Sequence, residues 1–302
     1  MFLFGILAML VVGAGWCIFG YLMGEAPKRK FDVTGFLMIC TLIEFFASLL
    51  IALLQGIPAA TAAGWMIAGG SLVACGIVNY FQLDFMSRAM QNGPNGIIWT
   101  VAQSGFVFPF AMGTVLFCVP LSWCRSAGFV LILAGLVIFG VSGDNRVSGK
   151  WKGWALAAFF ATGVSQCLSN LPSYYAQAEA ITPMWRTAAF SLGLFLGCLL
   201  IRFRNIPELF RHSGELLKRG DARVMALIGG GSNLLFSFLF LYPGMNALAK
   251  ANAGAIAYPL MVCSCLIVFE LYSIIFLREK RSIWQISALL CCLAGTVGIC
   301  FK

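Results

Sequence analysis

Long apolar runs alternate with short polar stretches along almost the whole chain. A helix needs about 20 mostly apolar residues to cross the hydrocarbon core of a bilayer. Ten segments meet this requirement, and we number them spans 1 to 10 in chain order. They are 3–23, 34–54, 64–82, 94–117, 126–142, 153–173, 184–201, 223–242, 251–277 and 283–301. The pattern therefore predicts an all-α, polytopic membrane protein with ten transmembrane helices.

The composition supports this prediction and excludes several classes of protein. Of the 302 residues, 61% are hydrophobic and 10% are charged, against roughly 25% charged residues in a soluble domain. Such a chain cannot present the charged exterior that a soluble enzyme needs. The net charge of +9 lies in short clusters between apolar runs, which is typical of membrane-flanking charge and not of a nucleic-acid-binding surface.

The distribution of Lys and Arg predicts the orientation of the chain. Sixteen of these 20 residues fall in the odd-numbered connections between spans, and three fall in the even-numbered ones. Because Lys and Arg in short loops mark the cytoplasmic side, we expect both termini on the outer side of a cell membrane. In a Gram-negative source this is the periplasmic side of the inner membrane. Since no charge precedes Glu25, span 1 is expected to remain as a helix and not to be removed as a signal peptide.

Short segments of the first half of the chain recur in the second half in the same order. The matches are Ile67–Ser71 with Ile228–Ser232, Ser122 with Ser282, and Ala134-Gly135 with Ala294-Gly295, at separations of 160 or 161 residues. The pattern predicts two repeats, 1–148 and 149–302, of five spans each. Because five is odd, the second repeat enters the membrane inverted. Inverted repeats are frequent in secondary transporters, although a duplicated scaffolding or passive membrane protein would show them too.

The residues around spans 4 and 9 resemble the drug/metabolite transporter superfamily, in its ten-span EamA-like form. The resemblance covers the whole chain. The segments that carry it are Gly93-Pro94-Asn95-Gly96 through Leu133-Ala134-Gly135, and Ala249-Lys250-Ala251-Asn252 through Arg278-Glu279-Lys280 and Ala294-Gly295. Lys28-Arg29-Lys30, Asn79-Tyr80 and Arg88 are similar to the branch of the rhamnose–proton symporter and the glucose/ribose porter. The resemblance implies a proton-coupled or exchange carrier for a small polar metabolite, with a sugar favoured.

Two carboxyl groups fall deep within predicted spans, Glu44 in span 2 and Glu270 in span 9. A charged group is costly near the centre of a bilayer, so a carboxyl there is a candidate for exchanging a proton during transport. We therefore predict proton coupling at Glu44 and Glu270. A neutral carboxyl that only bonds a neighbouring helix is the alternative interpretation.

Other polar and aromatic side chains within the spans are candidates for binding the substrate. They are Asn79, Gln82, Trp99, Thr100, Gln103, Gln166, Asn170, Asn233, Tyr258 and Ser264. Trp99 and Gln103 are four residues apart and share one helix face. An aromatic ring beside an amide suits a sugar, a nucleobase or an amino acid. Hydrogen bonding between helices is the alternative for each of these residues.

The sequence thus predicts a secondary active transporter that works by alternating access, with a small-molecule substrate, protons and membrane lipid as partners. An exporter of amino acids or other metabolites and a non-transporting receptor or scaffold remain alternatives. We expect no enzymatic activity, no cofactor, no metal and no nucleic acid, because the chain lacks the corresponding motifs. It would act as a monomer or a homodimer. The amphipathic segment 202–223 predicts either a helix on the membrane surface or a solvated connector.

Overall fold

A computed structural model describes residues 1–118, 122–141, 150–251, 253–278 and 282–301, and the regular structure within these ranges is helical throughout. The principal helices are α1 (Phe2–Lys28), α2 (Val33–Gln55), α3 (Ala62–Met90), α4 (Asn95–Val115), α5 (Trp123–Val141), α6 (Lys150–Asn170), α7 (Pro183–Ile201), α8 (Ile206–Lys218), α9 (Gly220–Lys250), α10 (Gly254–Ile275) and α11 (Ile283–Cys300). The predicted boundary between residues 148 and 149 lies outside the described residues. So do Asn252, Glu279 and Lys280 of the resemblance.

Seven helices of the described part are long and apolar enough to cross a membrane. They are α1, α2, α3, α4, α7, α9 and α10. Parts of α5 and α11, Trp123–Gly135 and Ile283–Gly298, are apolar but shorter, and α6 begins with the charged Lys150 and Lys152. The protein is therefore an all-α, multi-pass membrane protein. The full count of ten transmembrane helices stays a prediction.

Two helices continue about eight residues beyond the predicted ends of spans 3 and 8. In α3 the polar end is stabilised because Arg88 Nε lies 2.8 Å from Asp84 Oδ2, one turn earlier. In α9 the helix passes Pro243, which has no backbone N–H to donate to the preceding turn. A π-helical segment, Ser237–Leu241, directly precedes this point and accommodates the missing hydrogen bond.

Glycines allow several helix pairs to approach closely. A Cβ atom added to Gly13 of α1 would lie 2.0 Å from the carbonyl oxygen of Met261 in α10. One added to Gly193 of α7 would lie 2.0 Å from the carbonyl oxygen of Val73 in α3. Small residues serve this purpose in membrane bundles, where lipid provides no hydrophobic drive between helices. These contacts bring the polar faces of neighbouring helices around one interior space.

The amphipathic segment after α7 forms a short 3₁₀ turn, Phe203–Asn205, followed by α8. Its inner face, including Leu209 and Leu216, is buried. The Ser213 hydroxyl donates to the Gly35 carbonyl oxygen at 3.3 Å and joins α8 to the start of α2. The segment is therefore helical and not an irregular connector.

Candidate functional site

A cavity lies inside the bundle between α1, α2, α3, α4, α6, α7, α9 and α10. The centres of water molecules could occupy about 90 Å³ of it. Eight of the residues predicted from the sequence line its wall. They are Glu44, Asn79, Gln82, Trp99, Gln103, Gln166, Asn233 and Tyr258. Helices distant in the chain thus bring most of the predicted site together.

Glu44 is a buried carboxyl on this wall, with 3% of its surface exposed. Asn233 Nδ2 of α9 donates a hydrogen bond to Glu44 Oε1 at 2.6 Å. One turn before Glu44, the Thr41 hydroxyl donates to the Ser191 carbonyl oxygen at 2.9 Å and holds α2 against α7. No ion pair among the described residues involves Glu44. Because an amide can donate to either a carboxylate or a neutral carboxyl, this pair can persist in both protonation states.

Two carboxamides of the cavity wall have unused hydrogen-bonding capacity. Gln103 of α4 and Gln166 of α6 are 2% and 5% exposed, and neither side-chain oxygen has a partner within the described ranges. An unsatisfied buried polar group costs about 1–3 kcal/mol. Both groups line the cavity, so a solute with hydroxyl or amine groups could recover this cost by bonding them.

A second amide pair and an aromatic wall complete the cavity. On α3, Asn79 Nδ2 donates to Gln82 Oε1 at 3.0 Å. The Trp99 ring stacks on Phe269 with a centroid distance of 4.9 Å, and its Nε1 donates to Cys265 Sγ at 3.2 Å. Both contacts fasten α4 to α10, so Trp99 is a fixed part of the wall.

Four predicted residues lie outside the cavity lining: Thr100, Asn170, Ser264 and Glu270. The Ser264 hydroxyl donates to the Leu10 carbonyl oxygen of α1 at 2.7 Å. Asn170 Nδ2 donates to the Tyr174 hydroxyl at 3.4 Å. The Ser264 bond joins two helices, which is the alternative interpretation given above, whereas the Asn170 bond is local to the end of α6.

Glu270 is also buried, with 4% of its surface exposed, but it faces the contact between α4 and α10. The Thr100 hydroxyl lies 3.1 Å from Glu270 Oε1 and 2.9 Å from the Gly96 carbonyl oxygen. The carboxyl therefore takes part in helix packing next to the site.

The cavity wall includes residues that the sequence analysis did not single out, among them Trp16, Thr41, Cys75 and Tyr242. Cys75 Sγ contacts the Ser165 carbonyl oxygen at 3.2 Å, a contact between residues 90 positions apart that no local pattern reveals. One signal was available. Thr41 and Cys75 stand three and four residues before the predicted Glu44 and Asn79, and so share their helix faces.

Positive charge lies next to the cavity but not in its wall. Arg186 of α7 stacks over the ring of Tyr242, a wall residue, at 5.8 Å. Its guanidinium donates to the carbonyl oxygens of Ala178 and Ile181 at 2.8 and 3.0 Å and to Asn246 Oδ1 at 3.3 Å. These bonds fix the charge against the backbone. The described lining contains one carboxyl and no Lys, Arg or His.

An ion pair lies beyond Arg186, in a second pocket nearer the surface. Lys250 Nζ is 2.7 Å from Glu179 Oε1, and both side chains are exposed. The hydrogen bond from Lys250, with the attraction of its charge, holds the pKa of Glu179 below its usual range.

No protein-family model matches the chain, and no curated protein matches it. Among solved structures, 28 chains match. One of them, described only as "Crystal structure of protein", aligns with a TM-score of 0.60 at 15% identity over 96% of this chain and 97% of its own. At this identity the likeness shows a shared fold alone.

Proposed function

We propose that this protein is a secondary active transporter that moves a small polar metabolite, with a sugar favoured, by alternating access coupled to protons. The observation that carries the proposal is the polar cavity within an apolar bundle, walled by Glu44 and by the carboxamides of Gln103 and Gln166. A polar interior space is costly in a membrane protein and marks a pathway for substrate or ions. The EamA-like resemblance supports the same function, and the distribution of Lys and Arg supports a cell membrane with both termini on the outer side.

The proposal treats 1–148 and 149–302 as two inverted repeats of five transmembrane helices. Equivalent turns support this. After α4 and after α10, Cys118 and Arg278 adopt φ of 51° and 52°, 160 residues apart. Ser122 and Ser282 then accept from backbone N–H groups at the starts of α5 and α11, both at 3.3 Å. The described ends of the two connections thus share backbone and capping geometry at the repeat separation.

Reciprocal packing between α5 and α11 supports the repeats further. A Cβ atom on Gly135 would meet Cys292 Sγ at 2.6 Å, and one on Gly295 would meet Ile132 Cγ1 at 2.7 Å. Both the two glycines and the two residues they contact are 160 positions apart. Such exchange of equivalent contacts is the signature of a pseudo-twofold axis. In inverted-repeat carriers the substrate site lies at the interface between the repeats.

The chemistry of the wall favours a neutral or cationic solute over an anion. The described lining has no fixed positive charge, while Glu44 is a potential negative charge. A hydroxyl both donates and accepts hydrogen bonds, which matches a carboxamide. For proton coupling, a substrate donor would compete with Asn233 for the Glu44 carboxyl. Binding of substrate and release of the proton would then be linked at one group.

The test is counterflow in proteoliposomes that contain the purified full chain. Sugars, amino acids and nucleosides are each loaded inside, and entry of the labelled compound is measured. We expect exchange of one class, with the combined Gln103→Leu and Gln166→Leu variant reduced at least tenfold. Gln55→Leu, at the exposed end of α2, is the matched control and should exchange normally. Absence of exchange for every class would refute the transporter proposal and favour a receptor or scaffold.

A further inference from the structure

The outer face of α8 and its preceding turn carries a row of exposed apolar side chains. Phe203, Phe210 and Leu217 are seven residues apart and are 63%, 49% and 48% exposed. At about 3.6 residues per turn, this spacing places Phe210 and Leu217 on one side of α8, while Phe203 lies in the preceding 3₁₀ turn. The buried Leu209 and Leu216 occupy the adjoining face against the protein. The row is therefore additional to the face that α8 uses for folding.

A basic row runs parallel to the apolar row. Its members, Arg204, Arg211 and Lys218, each directly follow an apolar-row residue in the sequence, and all three are exposed. Successive residues on a helix are about 100° apart, so Arg211 and Lys218 flank Phe210 and Leu217 on α8, while Arg204 lies in the preceding 3₁₀ turn. Long basic side chains can reach past an apolar surface to a polar boundary.

Two acidic residues of α8 lie apart from the apolar row. Glu208 and Glu215 lie about 160° around the helix from Phe210 and Leu217. Glu208 approaches Arg211 and His212 at 3.8 Å, on the side away from the apolar row. The helix surface thus changes in order from apolar to basic to acidic.

The neighbouring elements place α8 at the end of membrane helices. It follows α7, which ends at Ile201, and it precedes α9, which begins at Gly220; both are apolar enough to span. Arg202 Nη2 lies 3.0 Å from Asp32 Oδ1 at the start of α2. This ion pair and the Ser213 bond to Gly35 hold the buried face of α8 against the start of α2. At the end of membrane helices, acyl chains lie directly beneath lipid phosphate groups. An apolar row beside a basic row is complementary to these two layers.

We propose that α8 lies in the membrane interface and binds the headgroups of acidic phospholipids. Phe203, Phe210 and Leu217 enter the acyl boundary, while Arg204, Arg211 and Lys218 bond lipid phosphate. The acidic row faces water. This inference depends on the multi-pass membrane fold and not on the transport function.

The experiment measures amide hydrogen exchange of residues 206–218 in the full chain reconstituted into nanodiscs. Discs of phosphatidylcholine alone are compared with discs that also contain phosphatidylglycerol. We expect exchange to slow at least threefold with the acidic lipid. The combined Arg204→Gln, Arg211→Gln and Lys218→Gln variant should lose this difference, since all three side chains are exposed and available to lipid.

The matched control removes the same charge elsewhere, with Lys28→Gln, Lys30→Gln and Lys150→Gln. It should keep the full lipid dependence. A wild-type chain with equal exchange in both discs would overturn the proposal. Loss of the dependence in the control would also overturn it, because the effect would then arise from total surface charge. The wild-type comparison needs no substitution, so it decides even where a variant folds poorly.

Discussion

Glu44 and Glu270 are two carboxyls of similar burial in different surroundings. They are 3% and 4% exposed, and each accepts a hydrogen bond from another helix, Glu44 from Asn233 and Glu270 from Thr100. Only Glu44 borders the cavity. Burial in an apolar run is therefore insufficient to identify a coupling group. Contact with the space that substrate and water would occupy is the stronger criterion.

The position of each carboxyl relative to the cavity decides whether it can exchange a proton. A group that exchanges protons during transport must meet water or substrate in at least one conformation. Glu44 needs no rearrangement of the helices to meet a solute in the cavity, whereas Glu270 lies in the contact between α4 and α10. The proposed coupling therefore falls first on Glu44, and Glu270 serves as its internal comparison.

The largest effect is expected for Glu44→Gln. An amide keeps the shape of the carboxyl but cannot titrate, so uptake driven by a pH gradient should fall by more than about 100-fold. Counterflow, which needs no net proton movement, should persist. Both are measured in the same proteoliposome preparation. Gradient-driven uptake at the wild-type rate would remove Glu44 from the coupling mechanism.

Asn233→Leu should have the next largest effect. The substitution removes the hydrogen bond of 2.6 Å from Asn233 Nδ2 to Glu44 Oε1 and leaves the carboxyl buried. Because a hydrogen bond to a charged group contributes about 1.5–3 kcal/mol, we expect gradient-driven uptake to fall roughly 10- to 100-fold, but less than in Glu44→Gln. Asn92→Leu is the matched control, since Asn92 is exposed and, among the described residues, its side chain bonds only the Arg88 carbonyl oxygen near the end of α3. Equal losses in both variants would mean that the Asn233 contact has no specific role.

A smaller effect is expected for Glu270→Gln. The amide oxygen can still accept from Thr100, so the contact between α4 and α10 should persist. We predict gradient-driven uptake within about threefold of wild type and a loss of stability below about 1 kcal/mol, the typical net contribution of a hydrogen bond. Uptake and thermal melting of the purified chain measure the two quantities. A loss of coupling as large as that of Glu44→Gln would abolish the distinction between the two carboxyls.

Sequence periodicity predicted the helical membrane fold because each apolar run is a local property of the chain. It also identified Glu44, Gln103 and Gln166, since a polar residue is conspicuous within an apolar run. It could not separate Glu44 from Glu270, because the facing helices decide which carboxyl meets the cavity. The same limit explains why Trp16 was missed. An aromatic residue in an apolar run looks like any packing residue, and nothing in the neighbouring sequence indicates that it lines a cavity.

The smallest effect belongs to an exposed carboxyl, Glu179, which shows what an ion pair contributes without burial. Lys250 lowers the pKa of Glu179 in the folded state, so the pair stabilises the fold above the unfolded-state pKa, about 4.3. That contribution is lost as the pH falls through the lower folded-state value. Exposed ion pairs contribute little, so Glu179→Gln should lower the melting temperature by less than about 3 °C at pH 7. The difference from wild type should shrink as the pH falls through the lowered folded-state pKa of Glu179; a difference that grew with acidity would contradict the direction of the pKa shift.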